Sequence, residues 1–446
     1  MAESEGALYS KTFVTPFFKL AFANVISNLM VPLAGLIDTA FLGHLSDIRH
    51  LAGVALATVI FNILYWSFGF LRMGTTGMTA QARGRADESE VWLVPLRNGL
   101  IALAIGLLLL LLQQPIRTVG FALLGAEPPL ESAGFAFFDG RIWGAPAVLL
   151  NLVLLGWFLG LERGRWVIVL SVVGNGGNIL LDYWFIRHLG WASGGAGLAT
   201  ALSQYLMLIV GLGLVLKLGG RAKIPQVLPR LQDTHAIRHL FQLNRDIMIR
   251  TFALLLSFSL FTSFSADFGS QILAANTLLL QVITLASYFI DGIAFATESF
   301  AGRFYSSGSN QQLTFLLTMS GACSLAVGCG FALSFALMPG FLFGLLTSHT
   351  PVIAQAGAFA WWLVPTLTAG AIAYLLDGYF LGLTAGRTLR NATLLATGIG
   401  FLPLAFIAQR MSHPHILWLA LTSFMGARAL SLMVVVPSSL KGQKIY

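Results

Sequence analysis

Charge is what this sequence has least of. Asp, Glu, Lys and Arg make up 10% of its 446 residues, hydrophobic residues make up 57%, and the mean hydropathy is +0.80. A soluble domain carries about 25% charged residues, so a water-exposed globular chain is excluded. Cysteine is nearly absent as well. Cys323 and Cys329 are the two present, and both lie in one apolar run. A disulfide framework is thereby excluded, and both read as packing residues. No GxxxxGK[ST] loop, HExxH, Cys/His cluster or GxSxG occurs, and the 8 His are scattered, mostly in loops. The chain therefore reads as a non-enzyme without an ATPase or a metal centre of its own.

What is abundant is apolar length. Runs fall near 14–42, 51–73, 92–115, 141–161, 166–186, 194–216, 247–268, 273–298, 312–337, 354–382, 391–409 and 416–438. At about 20 residues per crossing, these predict twelve transmembrane helices. The first run is too long for a signal peptide and lacks a small-residue cleavage site. With both termini in the cytoplasm, about 20 of the 26 basic residues fall on the cytoplasmic side. Arg49, Arg117, Arg141, Arg187 and Arg410 fall outside. The net +8 is thus a topology signal and gives no case for nucleic-acid binding.

The longest polar stretch, 217–245, separates two equal halves, and the halves repeat. LAGVAL at Leu51–Leu56 matches LAANTL at Leu273–Leu278, an offset of 222. WFLGLERGR at Trp157–Arg165 matches YFLGLTAGR at Tyr379–Arg387 at the same offset of 222. Both halves begin in the cytoplasm, so the repeat is parallel. The expected organisation is an amino-terminal six-helix lobe over 1–216, a cytoplasmic linker over 217–245 and a carboxy-terminal six-helix lobe over 246–446.

Few acidic residues fall inside the runs: Asp38, Asp182, Asp291 and Asp377, with Glu298 and Asp267 near run ends. A lone charge at such depth costs at least ~2.5–3.5 kcal/mol. Counting back from Asp38 by 3 or 4 gives Gly35, Val31, Asn28 and Asn24, a small or polar face on an otherwise Leu-, Ile-, Val- and Phe-rich helix. Pro32 predicts a bend or local unwinding before Asp38. A second stripe, Ser171, Asn175, Asn178 and Asp182, steps by 4, 3 and 4 along one face. Gly174, Gly176 and Gly177 let another helix approach closely, here expected to be the first. Asp38 and Asp182 both fall near the outer ends of inside-to-outside helices, where together they make a proton- or cation-exchanging pair. Bland readings stand beside these: a helix end for Asp38, interhelical glue for the second stripe, packing for Asp291 and Asp377.

Several blocks resemble the multidrug and toxic compound extrusion (MATE) transporters, and within them the DNA-damage-inducible F branch. They are DTAFLGHL at Asp38–Leu45, FLRMGTTGMTAQARG at Phe70–Gly84, GNILLDYWFI at Gly177–Ile186, NRDIMIRT at Asn244–Thr251, YFIDGIAFATES at Tyr288–Ser299 and LLDGYFLG at Leu375–Gly382. The resemblance implies an all-α membrane protein of twelve helices in two lobes around a central cavity. It implies export of lipophilic, often cationic compounds in exchange for protons or sodium, from the bacterial inner membrane. It makes Asp38 the first-helix coupling aspartate and Asp182 with Asn178 its fifth-helix partners. Thr200 becomes the sixth-helix hydroxyl and Asn151 a fourth-helix asparagine; a sodium ion would use Asp38, Asn178, Asp182 and Thr200. Asn24, Asn28, Asn175, Asp291, Asp377 and Pro32 are cavity or gating candidates, and Asp377 matches a tenth-helix aspartate. The seventh run, FALLLSFSLFTSF, has no acidic residue, which argues for coupling through the amino lobe.

Two other readings compete. A flippase of lipid-linked molecules would want several basic residues inside the cavity, yet Lys and Arg are expected inside the runs only at Arg428 and, near an end, Arg141. A membrane transferase would want a His/Asp or Asp-rich motif, and none stands out. The expected partners are small-molecule substrates and membrane lipids, with the protein a monomer and no cofactor beyond H+ or Na+.

Overall fold

The computed structural model describes the backbone of residues 2–45, 47–125 and 128–441, and side chains over 13–45, 47–125 and 130–441. Twelve helices long and apolar enough to cross a membrane are present among these residues. They are α1 (Phe13–Gly43), α2 (Ile48–Gly84), α3 (Glu88–Leu111), α4 (Leu130–Gly160), α5 (Gly164–His188) and α6 (Ala192–Lys217), then α7 (Thr234–Asp267), α8 (Ser270–Ser306), α9 (Asn310–Leu337), α10 (Thr350–Gly382), α11 (Gly386–Arg410) and α12 (Pro414–Leu440). Helix is the solution that satisfies every backbone group inside one segment when no water is at hand. Several helices outrun their apolar cores. α8 has 37 residues, about 55 Å at 1.5 Å per residue, against about 30 Å of hydrocarbon.

The chain divides into two compact units. One is Ile26–Arg238; the other joins the residues up to Val25 to those from His239 onward. The division falls inside α1. In the second unit, Phe13 packs against Phe300, Phe304 and Phe315 at ring separations of 5.7, 5.0 and 5.8 Å, and Gly292 leaves room for Val25 and Ala21. The stretch 217–245 is largely helical, at Gly220–Val227 and again from Thr234. It is tied to the first unit: Arg97 of α3 donates to the Arg230 and Leu231 carbonyls at 2.8 and 3.3 Å, and Lys223 pairs with Glu88 at 2.5 Å. Asp233 caps α7 through the His235 and Ala236 amides. The Ala236 N–H chiefly holds its carboxyl below the usual range.

The 222-residue repeat is visible atom by atom. In α4, a Cβ on Gly156 would overlap the Arg72 carbonyl of α2, and one on Gly160 the Thr76 carbonyl. In α10, a Cβ on Gly378 would overlap the Ala294 carbonyl of α8, and one on Gly382 the Glu298 carbonyl. Each of these residues is 222 positions from its counterpart. The turns repeat too. Left-handed φ values pair Ala86 (55°) with Gly308 (71°), Glu162 (56°) with Thr384 (54°) and Gly190 (69°) with Ser412 (50°). Four of these six lack glycine's freedom at positive φ, and the turns keep that geometry all the same.

The second unit is cored by Phe261, Phe343, Phe359, Phe401, Trp418 and Phe424. A buried hydrogen-bond chain runs through it: Trp418 donates to Asn276 at 2.9 Å, and Asn276 to Ser265 at 2.8 Å.

Candidate functional site

In the first unit, α1 and α5 lie side by side and run in the same direction. Ser27 and Ser171 share a hydrogen bond, and the carboxyl groups of Asp38 and Asp182 stand close enough to share one. Both pairs are separated by 144 residues. The two levels are 11 residues apart on each helix, about three turns, so one face of each is used. Above them the Phe41 and Tyr183 rings meet at 6.2 Å. α5 departs from α geometry twice, with π turns over Val172–Gly176 and Tyr183–His188. Such turns insert a residue and re-aim side chains. Here they bracket Asn178 and Asp182, both buried, with the Asn178 amide donating to Asp182 at 2.8 Å.

The pair is a chemically specific object. Two ionised carboxylates have no proton between them, so a carboxyl–carboxyl hydrogen bond needs one of them protonated. One oxygen of each, Oδ1, is buried without a hydrogen-bond partner, which suits a second proton or a small cation. Arg141 of α4 stands within electrostatic reach of Asp38. Its guanidinium lies over the Phe61 ring at 4.6 Å, with Phe137 at 5.5 Å and Tyr65 at 5.9 Å. Its position near the end of an apolar run gave no hint of this approach.

The other candidates lie as follows. Asn151 donates to Gln204 of α6, to the backbone carbonyl at 2.9 Å and the side chain at 3.1 Å. Thr200 donates to Ala196 in its own helix at 2.9 Å, and Asn175 to Ser171 at 2.9 Å. Asn24 is buried in the second unit with its Nδ2 unpartnered, whereas Asn28 belongs to the first. The helix runs through Pro32 without interruption, so the unwinding expected there is not seen. Gly174 and Gly177 face Met207 and Leu206 of α6 and not the first helix, and Gly176 faces open space.

The second unit holds a different cluster. Asp377 of α10 accepts from Arg250 of α7 and from Arg428 of α12, and all three are buried. Arg428 lies over the Tyr374 and Phe424 rings at 5.5 and 5.4 Å. Tyr374 in turn is within electrostatic reach of Asp291. Arg250 corrects the expectation that basic residues inside the runs stop at Arg428 and Arg141. It sits four residues into an apolar run whose amino-terminal flank is already basic, so the sequence pattern counts it with the flank. α7, whose apolar stretch FALLLSFSLFTSF has no acidic residue, contributes a cation to this cluster.

Comparison with known proteins agrees with this architecture. The MatE family model matches twice, over residues 24–184 and 247–407. The chain is 36% identical over 416 residues to the DNA damage-inducible protein F of Escherichia coli (strain K12), covering 93% of this chain and 90% of that one. Among solved structures, the Vibrio cholerae MATE transporter VcmN in its bent form aligns at TM-score 0.85 and 19% identity, covering 97% of this chain and 98% of that one. A MOP superfamily transporter from Pyrococcus furiosus aligns at TM-score 0.83 and 19% identity, over 96% of both chains.

Proposed function

The chain belongs to the MatE family of multidrug transporters, and from that premise we propose that it is an antiporter that exports lipophilic or cationic compounds in exchange for protons. The observation behind the reading is the Asp38–Asp182 contact, two carboxyls touching in a membrane-embedded unit where charge is scarce. Deprotonated, the pair attracts a cation; protonated, it releases it. Proton and substrate then compete through linkage, each favouring the state it binds better. One-for-one exchange lets a gradient of one pH unit support about tenfold accumulation. The proposed setting is a bacterial inner membrane with both termini and the 217–245 stretch in the cytoplasm, following the basic-residue bias.

The flippase reading asks for cations free to take a phosphate. Arg250 and Arg428 are engaged by Asp377 instead, which supports export of cations over it. The deciding experiment is counter-transport in proteoliposomes with pH and sodium gradients imposed separately. Export driven by the pH gradient alone is the expected result. Export driven by sodium alone would overturn proton coupling, and export by neither would overturn antiport.

A further inference from the structure

We propose that Arg141 is a resident counter-cation that sets which cations the amino-terminal unit accepts: it restricts the Asp38–Asp182 site to monocations. This rests on the reading of that pair as a cation-exchange site, and goes beyond it by naming what limits the charge of the substrate.

The groups that meet there are few. Asp38 faces Asp182 and Arg141; Asp182 faces Asp38 and the Asn178 amide; Arg141 faces Asp38 and the Tyr65 phenol, with Tyr205 beyond. The nearby Arg117 and Asp139 pair with each other at 2.5 Å and cancel. With both carboxyls ionised, the three charged groups sum to one negative charge. One monovalent cation neutralises that site. Without Arg141 the sum would be two negative charges, and a dication would fit it.

Arg141 is held where it can do this. Its Nε is buried without an acceptor, so its position rests on the faces of Phe61, Phe137 and Tyr65 more than on hydrogen bonds. Cation–π attraction is strongest for a desolvated guanidinium such as this one. An arginine kept by rings, and not by a carboxylate of its own, leaves its charge available to Asp38. That is an expensive arrangement for a residue with only a packing role, since a leucine would fill the same cage without a buried charge.

The test compares equilibrium binding of tetraphenylphosphonium, a monocation, and decamethonium, a bis-quaternary dication, to detergent-purified protein. Wild type is expected to prefer the monocation. Arg141→Gln is expected to shift the ratio of the two affinities toward the dication by about tenfold, because each charge on the ligand gains from the removal of one repelling charge. Arg141→Lys, which keeps the charge, is expected to retain the wild-type ratio, an outcome that loss of packing would not give. A ratio unchanged in Arg141→Gln overturns the assignment. So does a wild type that binds the dication tighter, a measurement that stands even if Arg141→Gln does not fold. Binding of neither cation by wild type sinks the functional reading itself, and this inference with it.

Discussion

Arg250 and Asp377 are 127 residues apart in the chain and form an ion pair in the interior of the second unit, with Arg428 on the same carboxylate oxygen. One anion therefore serves two guanidiniums. Replacing it leaves two cations buried with no compensating carboxylate. Asp377→Asn is expected to destabilise the protein by about 3–5 kcal/mol, the usual cost of breaking a buried pair from one side. The thermal midpoint of the purified protein measures it, and a midpoint equal to wild type would show that the cluster is dispensable for stability.

The glycine contacts between neighbouring helices make a second prediction. Gly156→Leu and Gly378→Leu each place a side chain against a backbone carbonyl, Arg72 or Ala294, which cannot swing aside. Each is expected to cost at least about 1–3 kcal/mol through overpacking. Gly330→Ala is the control. Nothing beyond its own stretch of helix lies within 4 Å of where a Cβ would stand, and the change is expected to be neutral or slightly stabilising in a helix. Equal melting temperatures for Gly156→Leu and Gly330→Ala would refute the close-packing account.

The third prediction concerns linkage between protons and substrate. If the carboxyl pair binds either one, the affinity for tetraphenylphosphonium rises from about pH 5.5 to 8.5 in wild type. It stays flat in the Asp38→Asn/Asp182→Asn protein. The sign follows from charge: raising the pH strips protons from the pair and leaves the form that attracts cations. Titration by tryptophan fluorescence or calorimetry reads it, and parallel curves for the two proteins would rule out competition at this pair.

Asn178 offers a more local check. Its amide is the donor to Asp182 at 2.8 Å. Asn178→Leu is expected to cost about 1–3 kcal/mol, because a buried carboxyl loses one of its partners. It is also expected to displace the pH midpoint of substrate binding relative to wild type. A stability loss with an unmoved midpoint would make Asn178 a packing residue only.

Orientation is tested by chemistry at one position. Gln232 is exposed in the stretch between α6 and α7. Gln232→Cys, in a protein with Cys323 and Cys329 changed to Ser, is expected to react with a membrane-impermeant maleimide only after cells are opened. Labelling of intact cells would reverse the topology.

Most of the architecture was legible because membranes reward simple signals. Long apolar runs mark the crossings, and the 222-residue offset of LAGVAL and WFLGLERGR reappears in the glycine contacts and the left-handed turns. Helix ends were less legible. The polar residues Arg238 and Arg245 fall in the stretch read as a linker, yet they sit on α7 where it extends beyond the apolar core. At the candidate site, the stripe through Ser171, Asn178 and Asp182 was readable from spacing, and so was its kinship with Asp38. The approach of Arg141 and the burial of Arg250 were not, since both residues lie near run ends, where basic residues are common. No periodicity within one helix says which ring or carboxyl a neighbouring helix will present to them.

The division of α1 at Val25 also bears on the order in which the protein can be assembled. Phe13 leaves the ribosome well ahead of Phe300, Phe304 and Phe315, its partners, which are made nearly 300 residues later. At about 5–20 residues per second, that is a wait of roughly 15–60 s. Through that interval the opening half of the first helix sits in the bilayer with its aromatic face against lipid or a chaperone. The rest of the same helix can already dock on α5. The Phe13 end of α1 is thus placed late, and a carboxy-terminal fragment translated alone would lack the aromatic contact it makes to α8 and α9.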